Sequence, residues 1–193
     1  MKSQFSLFVL LLVSQMTIIF ASNNNMRCGI PRCQNKNATI NITVDNILDQ
    51  VSVNGMPQML PLQNLDNWTI AKTIKIMILN PGDVVSITGR NMGNVTLNNP
   101  AAILATIWYV DQYGNKQKLN TGKGWICDGS RALLQAANND DSDITSIWVK
   151  VLGHPIKEID DQAQWIWNQN QSINATCSVV IPGCCKKRHV NNY

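Results

Sequence analysis

The chain has 193 residues, of which 15% are charged, and a formal net charge of +4. Three of its basic residues (Lys186, Lys187 and Arg188) lie next to the C-terminus, so no stripe of lysine and arginine marks a nucleic-acid-binding surface, and we expect no nucleic-acid partner. About 170 residues follow a leader, which is enough for one domain with a hydrophobic core.

Residues 1–21 have the features of a secretory signal peptide. Lys2 precedes an apolar run from Phe5 to Phe20, and Ala21 is the expected last residue removed. A membrane anchor is the alternative, but the run is short for a span and polar residues interrupt it. No later stretch reaches about 18 apolar residues. We therefore expect a secreted, extracellular protein with no transmembrane segment after cleavage.

The first half of the body has the periodicity of β-strands. Residues 22–37 are predicted as a cysteine-containing arm. Residues 38–44 alternate apolar and polar side chains, as in a half-buried strand. Residues 50–55 form a second strand that ends in Asn-Gly, a strong hairpin signal. Residues 73–79 alternate again, and the Pro-Gly pair in 80–83 predicts a tight turn.

The second half continues the same pattern. Three apolar runs of strand length between residues 84 and 128, separated by turns rich in Asn and Gly, predict a β-meander. Residues 131–137 (RALLQAA) are the only stretch with helical propensity. Further strands are predicted at 146–152, 164–167 and 176–181. Many short strands without a long helix predict a single all-β sandwich over 38–182, followed by a basic cysteine-containing tail at 183–193.

Six cysteines follow the signal peptide: Cys28, Cys33, Cys127, Cys177, Cys184 and Cys185. An even number in an exported chain predicts disulfides. Zinc is the competing interpretation, but paired C-x-x-C units are lacking and the two histidines stand apart. Our preferred pattern joins Cys127 to Cys177 across the sandwich. It pairs Cys28 and Cys33 with Cys184 and Cys185, because adjacent cysteines do not easily bond to each other.

Six N-x-S/T sequons also follow, at Asn37, Asn41, Asn67, Asn94, Asn170 and Asn174. Such motifs arise by chance in asparagine-rich chains, so we expect about half of them to carry glycans. An occupied site has to lie on the surface, because a glycan cannot be buried. The sequons therefore predict exposed turns and exposed faces of strands.

The order of these features resembles a known family. The Asn-Gly turn at 54–55, the Pro-Gly turn at 81–82, the Gly-Trp-Ile-Cys run at 124–127 and the closing Ala-Gln-Trp-Ile-Trp at 163–167 follow one another in the chain. This order resembles the galactose-binding-like jelly roll, which occurs as a sugar-binding accessory module in rhamnosidases and in lectin-like secreted proteins. The resemblance covers roughly residues 40–180. It implies a disulfide-stapled jelly-roll sandwich that binds carbohydrate without catalysis.

Six tryptophans point to the same ligand class, because sugars stack their apolar faces on indole rings. Trp165 and Trp167 are two residues apart on a predicted strand and should share one face. By analogy with jelly rolls that bind through loops, further polar contacts are expected from Asn54, Arg90, Asn91 and Asp128. Trp108, Trp125 and Trp148 are expected mainly in the core, which is the alternative to a place in the binding site. Trp68 is expected either in the core or on a surface shielded by a glycan.

The acidic loop at 138–143 is a candidate calcium site through Asp140, Asp141 and Asp143, since calcium prefers several carboxylate oxygens. It lacks the Gly and the terminal Glu of an EF-hand loop, and a solvated loop is the alternative. Asp45, Asn46 and Asp49 are a weaker candidate of the same kind. No other cofactor is expected.

The arrangement of acids and histidines predicts a protein that is not an enzyme. His154 and His189 are the only histidines, and the acids fall in predicted turns. We therefore expect a secreted lectin-like domain that binds glycans or cell-surface glycoproteins. The alternative is a structural matrix or adhesion protein that acts by protein–protein contact, with self-association through intermolecular disulfides of its tail. A hydrolase or inhibitor in the same fold is a third possibility.

Overall fold

The computed structural model describes residues 36–111, 114–139, 147–153 and 155–182. These residues form two antiparallel sheets and one short helix. The all-β sandwich expected from the sequence is confirmed. The predicted signal peptide, the cysteines of the arm and tail, and the calcium candidates lie outside the described residues: Cys28, Cys33, Asp140, Asp141, Asp143, Cys184 and Cys185.

Sheet A has the longest strands. Its order is β10 (Leu133–Asn138), β11 (Gln164–Trp167), β6 (Ala102–Val110), β1 (Lys36–Asp45) and β4 (Lys72–Leu79), with β7 (Lys116–Asn120) also paired to β6. Strand β1 pairs with β6 over seven residue pairs, from Thr39–Trp108 to Asp45–Ala102. Strand β6, which pairs with β11, β1 and β7, is therefore the centre of the sheet, and β4 is an edge.

Sheet B packs against sheet A. Its order is β3 (Met56–Pro57), β2 (Ile47–Val53), β5 (Val84–Arg90), β12 (Asn174–Val180), β8 (Ile126–Cys127) and β9 (Ser130–Arg131). Strands β5 and β12 pair in continuous register over their seven residues. On the outer surface, Ser86 and Thr88 exchange hydroxyl hydrogen bonds with Ser178 and Thr176 at 2.8 and 3.0 Å.

The predicted tight turns are present where the local chemistry requires them. Asn54 and Gly55 have φ of 50° and 78°, the left-handed conformation that an Asn-Gly hairpin needs. Asn54 also holds the neighbouring turn, because its side chain donates to Asp83 and accepts from the backbone N–H of Val84, both at 2.8 Å. The two turns therefore lie side by side at one end of the sandwich.

Alternate residues of the strands form the main core between the sheets. It includes Ile40, Ile42, Val44, Val51, Ile74, Ile76, Val85, Ile87, Ile103, Ala105, Ile107, Trp125 and Trp167. Gly89 of β5 lies where the two sheets come closest, because a Cβ atom there would be 2.5 Å from Cγ1 of Val44. The sheets can approach at this point only with glycine in β5.

A second apolar cluster covers part of the outer face of sheet A. Ala102 and Leu104 of β6 contribute to it together with Trp148, Ile156, Ile159, Ala163 and Trp165. Strand β6 is consequently buried on both faces from Ala102 to Ile107. Two covered faces explain why this segment reads as a continuous apolar run rather than as an alternating one.

Two predicted elements are wrong: a predicted helix is strand, and a predicted strand contains a helix. Residues 131–137, predicted as helical, belong to β9 and β10, and residues 146–152, predicted as a strand, contain helix α1 (Ile147–Leu152). In α1, Trp148 and Leu152 are four residues apart and face the second cluster together, whereas Lys150 and Val151 are exposed. Packing against sheet A thus outweighs the local preference of both segments.

The predicted Cys127–Cys177 disulfide is present, but its predicted position across the sandwich is wrong. Cys127 lies on β8 and Cys177 on β12, and these strands are antiparallel neighbours in sheet B. The two residues are directly opposite each other, with a Cα–Cα distance of 4.0 Å. The bond therefore joins directly paired residues of two neighbouring strands and attaches the two-residue strand β8 to β12.

Candidate functional site

Trp108 is an aromatic residue on the surface of sheet A, with 39% of its side chain exposed. Its neighbours Ile107 and Tyr109 face the main core, so the alternation along β6 turns the indole to the outer face. The second cluster covers this face at Ala102 and Leu104 but leaves Trp108 open to solvent. The alternative prediction that Trp108 belongs to the core is wrong.

Polar side chains flank this indole on both neighbouring strands. Thr39 of β1 and Lys118 of β7 are directly opposite Trp108 in the strand register. Lys75 of β4 is opposite Thr39 and extends the same row to the edge of the sheet. Directly opposite residues of antiparallel strands lie on the same face and within contact distance. We call Trp108, Thr39, Lys75, Lys118 and Asp160 the Trp108 face.

Asp160 joins this row from the loop that precedes β11. Its carboxylate accepts hydrogen bonds from Nζ of Lys118 at 2.5 Å and from Nδ2 of Asn120 at 2.7 Å. Its backbone N–H donates to Oγ1 of Thr106 at 3.0 Å, and Thr106 donates to Asn120 at 2.9 Å. The lysine next to Trp108 is therefore held by a network and has a defined position.

The charge of Asp160 is stabilised by the same network. Partial burial acts to raise the pKa of Asp160, but hydrogen bonds from Lys118, Asn120 and the N–H of Gln162 outweigh it and lower the pKa below the ordinary value. The carboxylate is thus ionised at neutral pH. It serves as an acceptor, and Lys118 serves as a charged donor.

This arrangement places a flat apolar surface beside hydrogen-bonding groups of both kinds. An exposed indole offers a flat apolar surface, and the neighbouring groups include donors on Lys75 and Lys118 and acceptors on Thr39 and Asp160. Sugar hydroxyls need both kinds of partner. The sequence did not assign Trp108 to the site, and Asp160 was also missed. The sequence predicted a strand at β6, but it did not mark where the covering loop ends.

The two tryptophans predicted to bind a ligand are buried instead. Trp165 and Trp167 are 2% and 0% exposed. Trp165 stacks on Trp148 in the second cluster, with ring centroids 4.6 Å apart, and meets Trp68 edge-on at 6.4 Å. Trp167 belongs to the main core and donates its indole N–H to the backbone of Ser172. Neither ring presents a face to solvent, and the prediction that they share a face is wrong.

The predicted polar contacts are divided between the two ends of the sandwich. Asn54 lies beside Val84 at the start of β5, whereas Arg90 and Asn91 lie at its other end. Seven residues of strand separate these positions by roughly 20 Å. One ligand of monosaccharide size therefore cannot contact both groups.

The other three predicted contacts each have structural partners. Arg90 forms an ion pair with Asp49 at 3.0 Å. Asp128 accepts hydrogen bonds from Asn168 and from the backbone N–H of Thr176 at 2.6 and 2.9 Å. Asn91 is 2% exposed and donates its side-chain N–H to the carbonyl of Gly93 at 3.3 Å, whereas its Oδ1 atom has no hydrogen-bond partner among the described residues.

The weaker calcium candidate also has other contacts. Asp45 accepts a hydrogen bond from the indole N–H of Trp148 at 2.8 Å and another from Asn46 at 2.5 Å. Burial raises the pKa of Asp45, although these hydrogen bonds act in the opposite direction. Asp49, the other carboxylate of this candidate, forms an ion pair with Arg90. Within the described ranges, no group of three or more His, Cys, Asp or Glu side chains is placed to hold a metal ion.

All six sequons lie at positions with solvent access. Asn37, Asn94, Asn170 and Asn174 are exposed, and Asn41 and Asn67 are partly exposed. Asn41 lies on the same outer face as Trp108, and its amide donates to the carbonyl of Glu158 at 2.5 Å. A glycan on Asn41 would compete with that hydrogen bond. Which sequons are used stays a prediction.

Comparisons of the chain with protein-family models, with curated proteins and with solved structures found no match. The resemblance to the galactose-binding-like jelly roll therefore stays a prediction, and the two-sheet architecture is the fold that the structure defines. In the described part of the chain, no helix has the length and apolar character needed to cross a membrane.

Proposed function

We propose that this protein is a secreted, non-catalytic domain that binds carbohydrate, at the cell surface or in extracellular material, through the Trp108 face. The observation that carries the proposal is the exposed indole of Trp108, set in a row of polar side chains on a flat sheet. The sequence expectation of a lectin-like protein supports the same ligand class. The site differs from the one expected, because Trp165 and Trp167 are buried.

Rigidity of the site supports a binding role. Trp108 lies on β6 where this strand is paired with β1 on one side and with β7 on the other. Lys118 is fixed by its ion pair with Asp160. Groups that are held in place before the ligand arrives lose little freedom on binding, which favours affinity.

The state of Asp160 favours binding over hydrolysis. A general acid in a glycosidase has a raised pKa, so that it holds a proton to give to the leaving group. The pKa of Asp160 is lowered, and its oxygens accept hydrogen bonds from Lys118 and Asn120. Such a carboxylate is a hydrogen-bond acceptor for a sugar hydroxyl and a poor proton donor.

A glycan array followed by titration with the best oligosaccharide tests the proposal. We expect saturable binding, and we expect Trp108→Ala to weaken it by about tenfold or more, because stacking on the indole is lost. The exposed side chain should tolerate truncation, so the unfolding midpoint should stay close to that of the wild type.

Leu97→Ala is the matched control, since Leu97 is an almost fully exposed apolar residue in a loop outside the Trp108 face. This variant should bind as the wild type does. Failure of the folded wild-type protein to bind any glycan would refute the proposal. Unchanged affinity in Trp108→Ala would refute the assignment of the site.

The edge strand β4 favours a second candidate function, namely self-association in an extracellular matrix. Two β4 residues, Met77 and Ile78, fall at an irregularity in its pairing with β1, and both are exposed, by 71% and 51%. An exposed apolar edge strand is a surface on which sheets associate. Sedimentation velocity tests this function: a dimer that Met77→Lys converts to monomer would support it, and a monomer at all concentrations would exclude it.

A further inference from the structure

A cleft of about 350 Å³ lies beside the edge of the sandwich, and its lining begins at Gly122, directly after β7. It forms where the chain passes from β7 in sheet A to β8 and β9 in sheet B, and then returns to β10 in sheet A. Its apolar lining comes from Trp125, Ile126, Ala132 and Leu134. Cavities of this size are common ligand sites in proteins.

Two cationic side chains line the same cleft. Lys123 and Arg131 are exposed, and neither forms an ion pair with any described residue. The acid nearest to them along the chain, Asp128, accepts hydrogen bonds from Asn168 and from the backbone of Thr176. That carboxylate forms no ion pair with either cation.

The chemistry of the lining selects a ligand class. Lysine and arginine side chains donate hydrogen bonds and cannot accept them, and the other lining side chains are apolar or absent. A neutral sugar would leave its hydroxyl donors without side-chain acceptors in this cleft. An anion with an apolar body would place its charge on the cations and its body on Ile126, Ala132 and Leu134.

We propose that this cleft is a second binding site, for small amphipathic anions such as an aromatic or aliphatic carboxylate or sulfonate. Lys123 and Arg131 bind the anionic group, and the apolar lining excludes water from the body of the ligand. Gly122 and Gly124 have no side chains that would narrow the cleft. Their φ values of 148° and 98° belong to conformations that other residues rarely adopt.

Fluorescence titration with 8-anilinonaphthalene-1-sulfonate tests this site, because the probe is an apolar body with one anionic group. N-phenyl-1-naphthylamine has the same body without the charge and is the neutral comparison. We expect the folded protein to bind the sulfonate saturably and at least about tenfold more tightly than the amine. Affinity for the sulfonate should fall as salt is raised.

The variant Lys123→Gln/Arg131→Gln should lose the preference for the sulfonate and keep the affinity for the neutral amine. Lys116→Gln/Lys150→Gln removes the same charge from exposed positions outside both the cleft and the Trp108 face, and should bind both probes as the wild type does. Absence of sulfonate binding, equal binding of both probes, or equal losses in the two double variants would overturn the proposal. Unfolding midpoints verify that each variant is folded.

Discussion

Gly89→Ala perturbs the closest approach of the two sheets. The added Cβ atom would be 2.5 Å from Cγ1 of Val44 and 3.5 Å from Cζ3 of Trp167. The second distance is an ordinary contact, whereas the first is about 1 Å shorter than the best separation of two carbon atoms. Either Val44 has to leave its rotamer or the sheets have to separate locally.

Both responses cost free energy. Val44 is fully buried, and a β-branched side chain on a strand has few alternative rotamers. Adding one methyl group to a core of this density typically costs about 1–3 kcal/mol. We therefore expect Gly89→Ala to lower the free energy of unfolding by about 2 kcal/mol, with little change in the denaturant slope.

A double-mutant cycle with Val44→Ala separates this clash from other effects. Val44→Ala alone should also destabilise the protein, because it opens a cavity. In the double variant the two methyl groups in conflict are no longer both present, so the loss should be smaller than the sum of the single losses by at least about 1 kcal/mol. Urea unfolding followed by tryptophan fluorescence measures all four proteins. Additive losses, or a neutral Gly89→Ala, would refute the close approach of the sheets.

Three further predictions concern buried polar groups and the disulfide. Burial lowers the pKa of Lys72 to about 8 from an ordinary value of 10.5, although the charge of Asp66 opposes this. Between these two pKa values, unfolding takes up a proton, so the free energy of unfolding should rise with pH across that window by up to about 3 kcal/mol. Urea unfolding at pH 7.5 and pH 10 measures this rise, and Lys72→Met should abolish it. Trp148→Phe keeps an aromatic ring but removes the indole N–H that donates to the buried carboxylate of Asp45. We expect the free energy of unfolding to fall by about 1–3 kcal/mol. Thermal unfolding measures this loss, and an unchanged midpoint would disprove a stabilising role of the hydrogen bond. Cys127→Ser/Cys177→Ser should cost about 2–5 kcal/mol, and peptide mapping without reductant should find these two cysteines linked in the wild type; any other partner for either would contradict the structure.

Local turn chemistry and alternation were sufficient to predict the all-β architecture. The strand at β4 alternates through Ile74 and Ile76, and one buried face explains that pattern. The Asn54-Gly55 turn follows from the left-handed φ that only a few residues accept. Such features depend on neighbours in sequence, and neighbours in sequence are visible without a structure.

The exchange of helix and strand between β10 and α1 could not be predicted in the same way. The six residues of α1 include β-branched ones, yet intrinsic preferences differ by only a few tenths of a kcal/mol per residue. Stacking of Trp148 on Trp165 and burial against Leu104 outweigh that difference. Whether a short segment packs on a sheet depends on residues far away in the chain.

The burial of Trp165 and Trp167 could not be predicted for a related reason. Spacing placed Trp165 and Trp167 on one face although they belong to different clusters, and it does not say which faces another segment covers. The second cluster covers Trp165 and Leu104 and ends before Trp108. Trp108 is exposed because the covering segment ends before it, and the sequence does not mark that end.

The central claim is that Trp108 stacks on a bound sugar. Two-dimensional ¹H–¹⁵N NMR during a titration with the best oligosaccharide from the array measures this directly, since each indole N–H gives its own signal and Trp108→Phe assigns one of them. We expect the Trp108 indole and the amides of Thr39 and Lys118 to shift, while the indoles of the buried Trp125 and Trp167 stay in place. Shifts confined to the loop residues around Arg90, with an unmoved Trp108 signal, would contradict the account.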